Sequence, residues 1–89
     1  MELTFKDFKK AQRIALDLVS FGRVRIERCY RLVSNKIEVV YKVYLDNLWA
    51  DENLLKTLER YSNDFEEDLD DLRKFLQVKD RILRVILMC

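Results

Sequence analysis

Residues 23–45, RVRIERCYRLVSNKIEVVYKVYL, are a run of alternating side chains that folds on itself about Ser34-Asn35. With the turn placed there, Val24, Ile26, Tyr30 and Leu32 fall opposite Leu45, Val43, Val39 and Ile37 on one face, with Arg28 opposite Tyr41. The second face opposes Arg31 to Glu38, Glu27 to Lys42 and Arg23 to Asp46. Directly opposed apolar pairs and opposite charges stabilise a strand pair, and a slip of one residue turns every side chain to the wrong face. The register is therefore written twice, once in apolarity and once in charge. The stretch predicts an antiparallel β-hairpin with a charged, mainly basic outer surface.

Upstream, residues 5–20 predict an amphipathic helix. Phe8, Ala11, Ala15 and Leu18 recur at helical spacing, Thr4 stands where a cap is needed, and Gly22 lies just past the end. Lys6, Lys9, Lys10 and Arg13 fall on its outer face. Met1 to Thr4 reads either as a lead-in or as a short extra strand. Downstream, Asp46, Asn47 and Asp51 are candidate caps for a face formed by Leu54, Leu58, Tyr61, Phe65, Leu69, Leu72 and Leu76. Ser62-Asn63, followed by Asp64, Glu66 and Glu67, suits the start of a second helix, so residues 51–77 read as two helices or one bent one. Residues 81–89 favour a strand through Ile82, Val85 and Ile86, although Gln77, Arg81, Arg84 and Met88 also keep helical spacing.

The expected class is α+β: one small domain spanning 1–89 with an N-terminal helix, the hairpin, one long or two short helices and a C-terminal strand. That order resembles the type II K-homology domain in topology. The family's glycine-bracketed loop, however, is replaced around Arg60 to Phe65 by Arg-Tyr-Ser-Asn-Asp-Phe, so its grip on nucleic acid is not carried over. With a strand at Met1 to Thr4 and a single helix over 51–77, the order becomes that of a ferredoxin-like split βαβ domain, which hosts many functions.

Composition narrows the chemistry. An 89-residue chain that is 49% hydrophobic and 37% charged is built to fold, yet is close to the size at which a partner subunit helps stability. It has no histidine, so ordinary hydrolase triads and the commonest metal ligand are missing. A single glycine, Gly22, rules out a phosphate-cradling glycine loop. Cys29 and Cys89 read as free thiols without metal-ligand spacing, and no apolar run is long enough to span a membrane. A non-enzymatic, cytoplasmic protein without cofactor or metal is expected.

Charge is strongly partitioned beneath a net +1: residues 1–45 sum to +5, residues 46–72 to −8 and residues 73–89 to +4. The acidic block offers Asp64, Glu66, Glu67, Asp70 and Asp71 as a surface for a protein partner, in the manner of a small regulator or inhibitor. It equally reads as a solvated helix face, and it lacks the glycine of a calcium loop. On the hairpin, Arg23, Arg25, Arg31, Lys42 and Tyr44 offer an alternative nucleic-acid platform, arginines on phosphates and the ring on a base. Self-association into a homodimer is the third expectation. Arg28 is expected to pack its stem on Tyr41 while its guanidinium snorkels outward or meets a helix carboxylate such as Asp17, and Trp49 to cap the core edge or anchor an interface.

Overall fold

The computed structural model describes residues 1–49 and 52–76. In chain order these form β1 (Glu2–Phe5), α1 (Phe8–Leu18), β2 (Arg23–Val33), β3 (Lys36–Asp46) and α2 (Glu52–Arg60). A further helical stretch, α3, occupies residues 69–76. The sheet order is β1-β3-β2 with both pairings antiparallel. β1 and β2 consequently run parallel on either side of β3, with α1 as the crossover between them, which is the split βαβ arrangement. The α+β class expected from the sequence is the class observed.

The hairpin register agrees with the sequence reading pair by pair, from Arg23 opposite Asp46 to Val33 opposite Lys36. Ser34 and Asn35 both adopt left-handed backbone, with φ of 51° and 63°. Two consecutive left-handed residues make a primed turn, whose twist matches that of the strands it joins.

Other local expectations are corrected. Thr4 does not cap α1, because it pairs with Lys42 within β1. The cap is Asp7, whose side chain accepts from the Lys9 backbone N–H at 2.9 Å. The helix is therefore shorter than residues 5–20 at both ends, closing at Val19 in ordinary right-handed backbone. Gly22 has no positive φ and is not a left-handed cap. A Cβ there would stand 2.5 Å from the Asp46 carbonyl oxygen and 3.0 Å from a Leu45 methyl, so this glycine is required for close approach of the β3 end.

Residues 51–77 are not one continuous helix, since residues 61–68 break it. Phe65 forms an antiparallel bridge with Phe5, and the Glu66 N–H donates to the Thr4 carbonyl at 2.9 Å. Asp46 ends β3 and Asn47 follows in left-handed backbone at φ 52°; neither caps α2, and Asp51 lies outside the described residues. The expected strand at 81–89, with Cys89, also lies outside them.

Leu3, Phe5, Ile14, Leu18, Val43, Leu45, Leu54 and Leu58 form the center of the core, joined by Phe65, Leu72 and Leu76. Every one of the last five belongs to the leucine-rich face seen in the sequence. The core sits under only half of the hairpin. The molecule measures 52 × 24 × 20 Å with a radius of gyration of 14.4 Å. A compact domain of this length has about 12 Å. Eleven-residue strands reach about 36 Å, and their far half projects as an arm.

Candidate functional site

The acidic block divides on inspection. Asp64 is ion-paired to Lys10 of α1 at 3.0 Å, a contact that holds the lysine above its ordinary value by hydrogen bonding and charge. Glu66 takes two hydrogen bonds from the Arg31 guanidinium, at 2.7 and 2.6 Å. The Glu67 carboxylate accepts from the Thr4 backbone N–H at 2.8 Å. Three of the five residues expected to form a partner surface are thus engaged in fastening the chain to itself. Asp70 and Asp71 are exposed on α3, Asp70 3.8 Å from Arg73.

The basic hairpin face is similarly occupied. Arg31 donates to Glu38 at 2.8 Å as well as to Glu66, and Glu38 also meets Lys6 at 3.4 Å. Both carboxylates lie below the ordinary range because Arg31 hydrogen-bonds them. Lys42 faces Glu27 in the register but bonds Glu2 of β1, at 2.9 Å. Glu27 stands instead 3.8 Å from Arg25, whose guanidinium lies 4.6 Å over the Tyr44 ring. That contact, absent from a strictly cross-strand charge count, is a cation–π interaction between directly opposed residues. Arg23 is exposed. The same face also buries Thr4 and Val40, so it is no open platform.

Arg28 is exposed opposite Tyr41, the outward of the two courses expected for it, and Asp17 accepts instead from the Tyr61 hydroxyl at 2.5 Å. That hydrogen bond to Asp17, followed by burial, raises the Tyr61 hydroxyl above its usual value. Trp49 is 65% exposed and tied by its backbone to Phe21, so Leu48 alone meets the core.

The feature missed in the sequence is on the apolar face of the hairpin. Val24, Ile26, Val43 and Leu45 are covered by the helices, as expected, but the distal half of the same stripe is not. Tyr30, Leu32, Ile37 and Val39 are 64%, 71%, 75% and 38% exposed. The signal was present: a stripe of eight apolar residues is twice as long as an 11-residue helix can cover, since a helix rises about 1.5 Å per residue against about 3.3 Å for a strand. α1 begins with Phe8 against Tyr41, 5.2 Å between rings, and everything beyond that level is arm.

Two shallow clefts flank these features. One of about 580 Å³ lies between α1 and α2, lined by Asp17, Phe21, Lys56 and Arg60 among others; the second, of about 530 Å³, lies by the hairpin turn at Lys6, Arg31, Lys36 and Glu38. Among the described residues no three potential metal ligands converge, and no helix is long and apolar enough to cross a membrane. Comparison with known protein families, curated proteins and solved structures finds no match.

Proposed function

We propose that this chain is a small non-enzymatic protein-binding domain whose contact surface is the apolar half of the hairpin arm. The observation that carries the reading is the exposure of Tyr30, Leu32, Ile37 and Val39 side by side on one face of a well-registered strand pair. Contiguous exposed apolar surface on a folded domain marks a place of association. Arg28, exposed between Ile26 and Tyr30 on the same face, supplies a charged border to the stripe. Asp70, whose ion pair is to Arg73 within the same helix, and Asp71 are exposed and add an acidic field that steers a basic partner toward the domain. Such a domain acts by occupying its partner, as a regulator or inhibitor does. The free Cys29 thiol suits a reducing compartment, which supports a cytoplasmic location.

Binding to nucleic acid has weaker support, because Arg31 and Lys42 are spent on Glu38, Glu66 and Glu2. A comparative capture experiment separates the surfaces. Tagged wild-type protein, a Leu32→Lys/Ile37→Lys variant and an Asp70→Lys/Asp71→Lys variant are crosslinked in host extract and the partners quantified. Loss of the partner in the first variant, with at most weakened capture in the second, supports the arm. Capture unaffected by Leu32→Lys/Ile37→Lys rejects it, and a low-salt gel shift with wild-type protein alone would return nucleic acid to first place.

A further inference from the structure

β2 is an edge strand of the described sheet, eleven residues long. In a two-residue hairpin the residues flanking the turn exchange both backbone bonds, so Val33 and the odd-numbered residues of β2 turn their N–H and C=O groups inward to β3. Val24, Ile26, Arg28, Tyr30 and Leu32 turn theirs outward. A long strand with outward-facing donors and acceptors is a template for another strand.

The helix beside this edge is also incomplete. α1 packs on β2 and β3, and its Lys10 and Asp17 side meets Asp64 and Tyr61, next to the residues that bridge to β1. At about 100° per residue, Val19 falls on the opposite flank, above the β2 edge, with Leu16 further round toward solvent. Both are exposed.

We propose that the occupant of this edge is a second copy of the chain, its β2 antiparallel to the first in a register centred on Cys29. This rests on the arm being a protein-contact surface and names the partner. The charges choose the register. Centring on Glu27 opposes it to its own copy, and centring on Arg28 opposes Arg28 to Arg28 and Arg25 to Arg31, all like charges. Centring on Cys29 pairs residues 25–33 and places Glu27 opposite the partner's Arg31 twice over. The Arg31 guanidinium uses three of its five N–H groups on Glu38 and Glu66, so donors remain for that contact. Centring on Tyr30 or Ile26 avoids like charges as well, but the first pairs only residues 27–33 and the second leaves Leu32 unpaired. On the helix side, Ile26 then opposes the partner's Leu32, and the uncovered half of each arm lies beside the Val19 flank of the other copy. One contact covers both exposed apolar features, by placing the covered half of each hairpin next to the bare half of its mate.

The register makes a chemical signature. Cys29 opposes Cys29 in a pair without backbone bonds between them, with Cα atoms about 4.5 Å apart, inside the range a disulfide spans. In a Cys89→Ser chain, oxygen with a copper catalyst should take two electrons from the two thiolates and yield a Cys29-linked dimer, resolved on a non-reducing gel. Sedimentation should show a reversible dimer. Arg28→Pro, which removes an outward N–H and no β2–β3 bond, should raise the dissociation constant about tenfold or more while the far-UV spectrum is retained. Leu32→Lys serves as the second variant, should the proline disturb the strand. A wild-type monomer at high concentration overturns the inference, as does a dimer whose Cys29 thiols fail to couple. So does protection of the outward β2 amides from hydrogen exchange in a monomer, which would mean that the chain covers its own edge. In each of these cases the arm reading stands if the Leu32→Lys/Ile37→Lys variant still loses its partner in the capture experiment, so the two failures are distinguishable.

Discussion

At the scale of single residues, Gly22 shows how a plausible local rule is displaced by a tertiary one. A glycine after an amphipathic run ordinarily signals a left-handed helix end. Here the backbone is unremarkable at that position and the constraint comes from elsewhere in the chain, the carbonyls of Asp46 and Asn47 lying 2.5 and 3.2 Å from where a Cβ would stand. Neither neighbour is a flexible side-chain tip, so a methyl must displace backbone at the junction of β3 with its following loop. Overpacking of this kind costs about 1–3 kcal/mol. Gly22→Ala should therefore lower the urea midpoint at an unchanged m-value, and an unaltered midpoint would show that the β3 end yields freely. The same lesson applies to Thr4 and Asp7. Both are good caps in isolation, and the pairing of Thr4 with Lys42 decides which one serves.

Among the elements, the hairpin was the most legible because its information is redundant: apolar alternation, charge opposition and a central polar dipeptide all agree on one register. The breaks were legible where residues prefer caps, at Ser62-Asn63, and the leucine face was legible from spacing alone. What could not be read was extent. Periodicity reports which face of an element is apolar, and it is silent on how far along the element a neighbour reaches. The stripe from Val24 to Leu32 looked uniform in sequence, yet α1 covers only part of it. The turn carries its own test. Ser34 and Asn35 hold φ of 51° and 63°, a conformation that costs a residue with a Cβ roughly 1–2 kcal/mol and glycine little. Replacing the pair by Asn-Gly should stabilise the protein by roughly 0.5–1 kcal/mol, after allowing for the greater freedom of glycine in the unfolded chain. Calorimetry should record a higher melting temperature; a lower one would mean that the Ser34 side chain contributes more than its backbone costs.

Across the whole molecule, charge is used to close the chain on itself, and this is why the candidate sites were only partly legible. Counting signs along the sequence found the acidic block and the basic hairpin correctly. It could not show that the two meet, because Arg31 and Glu66 are 35 residues apart and joined only by the fold. Arg31 draws β2 to β3 through Glu38 and to the 65–67 segment through Glu66, while Lys6 ties the start of the α1 connection to the same Glu38. Both glutamates are pushed below the ordinary carboxylate value near 4.5, first by hydrogen bonds from Arg31. A carboxylate whose folded value is depressed binds fewer protons folded than unfolded, so its contribution is complete above the unfolded value and is lost as pH falls through the folded one. The urea midpoint should accordingly be level near neutrality and decline as the pH drops below about 4.5. These groups are accessible to solvent, and raised salt should blunt the decline. Arg31→Met removes the common partner of both carboxylates, and should flatten the acid limb relative to wild type while lowering the midpoint at pH 7. If the variant and the wild type lose stability in parallel from pH 6 to 3, the acid sensitivity originates in carboxylates other than Glu38 and Glu66, and the clamp contributes no more than an ordinary surface ion pair.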